Sequence, residues 1–433
     1  MGPRRTRAAG SRGLTRTVPV PGFFGDWYSR NRARTQALFD LVANEAYYER
    51  PIDLRHPIVF YEGHLPAFSF NTLVKRALGG VSIDPALETL FARGIDPSEQ
   101  EAGRTSIHQW PSRTAVRQFA AEADRRVRTA LDRSDLDRPG DPLLHRSEAV
   151  FTILEHEAMH QETLMYMWHR LPFDQKQRPA GYRPRIDDDR PPQEWIEIPA
   201  GRATLGADEA ALRFGWDNER PYHSEDVAAF AIQRHDVTNA DYLEFVNLGG
   251  PPPIFWERRG DSWYWRGMFD LIPLPLSWPV YVSQTDATAY AAWRECRLPT
   301  EAEFQRAAYG TPDGSERVHP WGDASPSAAH GVFDFASWDP EPAGSHPRGR
   351  SAWGVDDLVG NGWEWTRTEF APFPGFRPMP SYPEYSADFF DGEHAVMKGA
   401  SPATARELIR PTFRNWFRKQ YPYVYATFRC VRP

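Results

Sequence analysis

Cysteine is almost missing. The 433-residue chain holds two, Cys296 and Cys430, far apart in sequence. That excludes a disulfide framework and suits a reducing, cytoplasmic setting. Long apolar runs are missing too. None approaches the roughly 18 to 20 residues that span a bilayer, so no membrane partner is expected. Neither sign of charge is in large excess: a net charge of -7 gives no general reason to expect nucleic acid. Residues 1–20 carry five arginines and no acid. Without an apolar stretch behind them they do not form a signal peptide and read as a disordered basic tail.

Apolar residues at 41% and aromatics at 14% can build sizeable cores, and the length suggests two or three domains. From about 22 to 172 the apolar spacing is helical, in four segments: DWYSRNRARTQALFDLVA, HPIVFYEGHLPAFSFNTLVKRAL, SRTAVRQFAAEADRRVRTALDR and LLHRSEAVFTILEHEAMHQETLMYMWHRL. These predict a four-helix bundle. Residues 173–192, FDQKQRPAGYRPRIDDDRPP, read as an exposed linker. Beyond them come short strands and three short helices, one starting at Thr238 or Asn239, one in VSQTDATAYAAWREC and one capped by Thr300. A loop-rich α+β domain is expected there.

Residues 156–162 read HEAMHQE and contain H-E-x-x-H. On a helix His156 and His160 leave the same face, and Phe151, Leu154, Met159, Leu164 and Met167 turn that side inward. Two buried, unpaired imidazoles are costly, which favours a shared ion. A metalloprotease needs a third ligand downstream, yet Thr163 and Tyr166 break the extended motif and no glutamate follows Glu162 before Glu194. Upstream, His64 in FYEGHLPAF lies on the second helix, so two helices can converge on one ion. Three imidazoles with open positions suit Fe(II) holding substrate and dioxygen, or Zn(II) with a bound thiol or water.

The segment RHPIVFYEGHLPAF followed by HEAMHQE resembles the DinB-like helical domain of the ergothioneine and ovothiol sulfoxide synthases. HDVTNADYLEFV, CRLPTEAEFQRAAYG, HPWGD, DLVGNGWEWT, VMKGAS and ATFRCVR resemble the formylglycine-generating-enzyme fold, related to C-type lectins. The resemblance implies an α+β chain: a basic tail at 1–20, a DinB-like four-helix bundle at 21–172, a linker at 173–192 and a formylglycine-generating-enzyme-like domain at 193–433. It also implies a non-haem iron enzyme, with dioxygen as co-substrate, that joins a sulfur or selenium donor to a ring carbon of histidine or hercynine. By position His64, His156 and His160 are then the iron ligands. Asn415 and Trp416 become substrate contacts, Asn415 by hydrogen bonding and Trp416 by facing a trimethylammonium group. A structural calcium in the second domain is left open.

Three departures bear on the donor. Met159 stands where ergothioneine-type enzymes often have glutamine, and Phe417 where they often have aspartate. Phe370, Phe373 and Phe376 occupy the stretch where they often carry a tyrosine. These changes predict a substrate site lined by Phe417 and Phe373 and a neutral donor, the selenosugar of the selenoneine synthase branch, which HPIVFYEGHLPAFSFNTLV also resembles. The alternatives are an ergothioneine-type sulfoxide synthase using cysteine or γ-glutamylcysteine, a zinc-dependent thiol S-transferase, and a non-catalytic small-molecule binding protein. Formylglycine generation needs reactive cysteines, which nothing around Cys296 or Cys430 suggests. No catalytic acid is assigned. Tyr421, Tyr423 and Tyr425 are available, and Glu157 and Glu162 read either as groups that orient the histidines or as exposed helix positions.

Overall fold

The computed structural model describes residues 22–92, 94, 110–187, 190–208 and 212–433; the expected basic tail lies outside them. Helices open the chain: α1 Phe23–Phe39, α2 Ile58–Ser69, a short α3 Pro85–Leu90, α4 Arg113–Arg133 and α5 Glu148–Arg170. The four long ones fall where the apolar spacing put them. Ser112 caps α4 by accepting from the Ala115 N–H. Pro57 precedes α2, where a missing N–H is harmless. Pro66 inside α2 removes one rung of its hydrogen-bond ladder, and the chain continues as a π-type turn over Phe70–Ala77.

Helix α5 is not amphipathic in the way one inward-facing stripe suggested. Every residue from Ala149 to His169 is buried except the half-buried Met159. Several of the polar residues among them find a partner in another element, whereas His156 and His160 bond only to each other. Trp168 donates its indole N–H to the Leu38 carbonyl, and Gln161 donates to the Asn31 carbonyl of α1.

The stretch 173–192 is less exposed than its proline and charge implied. Val42 and Lys176 form a β-bridge, the Tyr182 hydroxyl donates to Asp339, and both Lys176 and Tyr182 are buried. A single tyrosine inserted into the second domain has no periodicity to betray it.

The strands that follow are short: β1 Trp195–Ile198, β2 Gly201–Leu205, β3 His223–Val227, β4 Phe230–Gln233, β5 Trp256–Arg259, β6 Ser262–Arg266, β7 Leu271–Pro273, β8 Gly362–Glu369, β9 His394–Ala400, β10 Asn415–Arg418, β11 Ala426–Thr427 and β12 Val431–Arg432. Among the described residues they form a sheet ordered β10-β9-β8-β11, the sheets β1-β4-β12 and β5-β6-β7, and the pair β2-β3. Helices α6 Asn239–Asn247, α7 Gln284–Trp293 and α8 Glu301–Tyr309 pack among them, and α9 Glu384–Ala387 is a single turn. The caps of α6 and α8 are reciprocal: Thr238 with Asp241, and Thr300 with Glu303.

Arg429 is fully buried behind β8. It makes two 2.7 Å bonds to Glu364 and one of 3.0 Å to Asp236, and its remaining N–H groups reach the Gln233, Arg234 and Asp356 carbonyls. Burial pushes both carboxyls up, and Arg429 draws them back. Arg429→Met leaves two buried carboxylates without their cation, a loss of about 3–5 kcal/mol. The folded variant then keeps protons that the unfolded chain has released, so its stability falls as pH rises above the ordinary carboxylate range. Urea unfolding should therefore show a larger deficit at pH 8 than at pH 5, and an equal deficit at both would contradict this account.

Candidate metal centre

His64 comes from α2, and His156 and His160 from successive turns of α5. Their ligand atoms lie within 4.8 Å of one another, and all three side chains are buried. Two of the rings are held by close neighbours. The Phe91 carbonyl lies 2.7 Å from His64 Nδ1, and Phe60 stacks on the same ring at 4.8 Å. Phe68 lies against His156 at 3.5 Å, nearly parallel.

Burial pushes His64 down to about 4. It pushes His156 and His160 well below the ordinary imidazole value, and neighbouring positive charge adds to the lowering: His160 and His64 act on His156, and His64 and Arg55 on His160. All three rings are therefore uncharged near neutral pH, the form that donates a lone pair. His156 Nε2 and His160 Nε2 face each other at 3.1 Å, and His64 Nε2 has no hydrogen-bond partner though buried. Three neutral nitrogens converging on one point, one of them otherwise unsatisfied, fit a first-row divalent cation with positions left open.

Two of the trio, His156 and His160, line a cavity of about 460 Å³ whose wall comes from both halves of the chain. From α5 it takes His156, Met159, His160, Thr163 and Tyr166. From the second half it takes Trp363, Tyr382, Tyr385 and the β10 residues Asn415, Trp416, Phe417 and Arg418. The two residues that broke the protease motif, Thr163 and Tyr166, thus line the site.

Of the remaining expected residues, Phe373 is elsewhere. It packs in a separate apolar cluster, edge-on to His223 at 4.4 Å and beneath Arg414 at 4.0 Å. Placing it by counting from Glu-Trp-Thr failed because the following proline-rich loop has no periodicity to align. Phe370 stacks on Trp416 at 4.3 Å. Glu157 and Glu162 are neither exposed nor bonded to the histidines. Glu157 accepts from Arg32 and Thr35, and Glu162 from Trp363, Ser401 and Thr404. Tyr421 lines the cavity, whereas the Tyr425 hydroxyl meets His169 in the interior.

The tyrosines that sequence reasoning missed are Tyr382 and Tyr385, in SYPEYSADFFD. Tyr382 lies edge-on to His156 at 6.2 Å, and burial, with Glu384 and Asp388 adding, pushes its phenol up to about 12. The Tyr385 hydroxyl donates to Met159 Sδ at 3.2 Å, and its ring is 5.0 Å from that of Trp416. The dense aromatic and acidic composition of that loop was the available signal.

Residues 28–164 match the DinB superfamily and residues 184–433 the sulfatase-modifying factor enzyme 1-like domain. A hercynine oxygenase of Mycolicibacterium thermoresistibile is 34% identical over 362 residues, covering 77% of this chain and 77% of that protein. This chain belongs to the ergothioneine synthase superfamily. Ergothioneine biosynthesis protein 1 of Neurospora crassa is 28% identical to this superfamily member over 496 residues, covering 90% of the chain but 55% of that larger protein. The formylglycine-generating enzyme of Mycobacterium tuberculosis is 28% identical over 303 residues, within the second half, covering 55% of the chain and 97% of that protein. The architecture of this synthase-superfamily enzyme is thus a DinB-like domain followed by a formylglycine-generating-enzyme fold.

Gly63 precedes His64, and a Cβ there would collide with the Phe91 ring. Gly63→Ala should displace Phe91, free His64 Nδ1 and weaken metal binding about tenfold, the scale of a lost supporting hydrogen bond. Metal titration alongside a thermal melt checks this, and unchanged affinity in a folded variant would remove Phe91 from the support.

Proposed function

We propose that the chain is a non-haem Fe(II), dioxygen-dependent enzyme that joins a chalcogen donor to the imidazole ring carbon of hercynine, and that the donor is a selenosugar. One observation carries the reading: three uncharged imidazoles meet, and two of them line a cavity that Asn415 and Trp416 also line. An iron ion held by His64, His156 and His160 supplies, with dioxygen, the oxidising chemistry that links a ring carbon to the chalcogen.

The chain's own residues do the rest. The Phe91 carbonyl accepts the His64 Nδ1 proton, which leaves Nε2 as the donor atom. The Trp416 backbone N–H, 2.9 Å from Asn415 Oδ1, fixes that carboxamide so that Nδ2 can donate to hercynine's carboxylate or ring. Trp416 offers its ring to the trimethylammonium group, and Tyr385 and Phe389 flank it at 5.0 and 5.8 Å. Tyr382, whose phenol keeps its proton at neutral pH and whose ring lies 6.2 Å from that of His156, is the proton donor in this reading.

The selenosugar assignment draws on the cavity's charge. Glu384, Asp388 and Asp391 line it, against the guanidiniums of Arg55 and Arg418. That balance disfavours a thiol bearing two carboxylates, and Phe417 brings no polar contact for an amino-acid donor. The second reading, carbon–sulfur bond formation with cysteine or γ-glutamylcysteine, is favoured by the two guanidiniums and by the name of the 28% identical Neurospora crassa relative, an ergothioneine biosynthesis protein.

Two experiments test this. His64→Ala should abolish iron loading and turnover together; full iron stoichiometry in that variant removes His64 from the ligand set. Hercynine supplied with selenosugar, γ-glutamylcysteine or cysteine in separate anaerobically prepared, air-started reactions should give product mainly with the selenosugar. Preference for either thiol overturns the donor assignment.

A further inference from the structure

Two groups of cavity-lining residues, one around Trp416 and one around Phe417, form lobes of different kind. Trp416 and Phe417 are adjacent in β10 but have different neighbours. Around Trp416 stand Tyr385, Phe389 and the acidic segment 384–391. Around Phe417 stand Tyr421, Tyr166 and Arg55. Phe417 and Tyr421 stack at 5.3 Å and 17°, and Tyr166 meets them edge-on at 6.1 and 6.3 Å. Arg55, 3% exposed, lies 4.9 Å over the Tyr421 ring and 5.9 Å from the rings of Phe417 and Tyr166. Its Nε and Nη2 each donate to the Tyr166 hydroxyl at 3.2 Å and Nη1 to the Leu54 carbonyl at 3.2 Å, so the fork is fixed in direction.

A ligand for this lobe needs a flat face with electropositive hydrogens to meet the aromatic π-clouds, and an anionic atom for the guanidinium. A pyranose offers axial C–H groups on its faces, and a selenol or thiol on its anomeric carbon ionises to supply the anion. Cysteine has no face to lay on the rings. We infer that Arg55, Phe417 and Tyr421 form the donor subsite, the rings carrying the sugar and Arg55 directing its ionised chalcogen toward the histidine trio. This rests on the donor reading given above and assigns residues to it.

Calorimetric titration of the metal-free protein under nitrogen separates binding from turnover. The probes are 1-thio-β-D-glucose, γ-glutamylcysteine and hercynine. Phe417→Ala and Arg55→Met should each weaken thioglucose binding at least about tenfold while hercynine affinity stays within about twofold. Phe417→Leu and Arg55→Lys, which preserve volume or charge, serve where the harsher variants melt early, with Phe417→Leu losing the ring and Arg55→Lys the fork. Unchanged thioglucose affinity in folded variants, or an equal loss for γ-glutamylcysteine, overturns the inference. If the wild type makes no product from hercynine with any donor, the proposed function falls, and the thioglucose titration still decides whether this wall binds a sugar.

Discussion

Helix α5 is enclosed on every side, and most of the molecule is arranged to make that tolerable. It carries Glu155, Glu157 and Glu162 into the interior, where an uncompensated charge costs several kcal/mol. Each is met by a different part of the chain. Arg32 and Thr35 of α1 take Glu157. Arg410 and the Trp216 indole take Glu155, with Arg410 shared with Glu219. Trp363, Ser401 and Thr404 take Glu162. Two of the three anchors therefore come from the second half of the chain. The helix that presents His156 and His160 is oriented as much by the β-rich part as by the bundle.

The histidine rings take their directions from another part of the chain. A neutral imidazole gains little from solvent once buried, so its orientation depends on ring contacts and one carbonyl. Phe60, Phe68 and Phe91 provide these, and all three come from the segment 58–91, with none from α5. The bundle thus sets the ring directions while the second half sets the helix position.

Much of this was legible in the sequence. The four long helices, the caps at Thr238 and Thr300, and the meeting of His64 with the H-E-x-x-H pair follow from periodicity and spacing, which are local properties. The loop after β8 was not legible. Tyr382 and Tyr385 reach the cavity through a proline-rich excursion without a repeat, and counting forward from Glu-Trp-Thr put Phe373 in their place. Glu157 and Glu162 were ambiguous for a related reason. A carboxylate on a helix looks solvated until its distant partners are known, and Glu162 finds its partners some 200 residues away. Burial of the whole of α5 was likewise hidden, because its polar residues mimic an exposed face.

Among the described residues strand β10 lies at the margin of its sheet, paired only with β9. One flank of its backbone answers to no neighbouring strand, so residues 415–418 can be exchanged without disturbing a central ladder. The histidine trio, by contrast, is locked into packed helices. Selection can therefore rework what the cavity accepts by editing four marginal positions while the histidine trio stays intact, a division of labour that lets one scaffold diversify its chemistry without refounding its core.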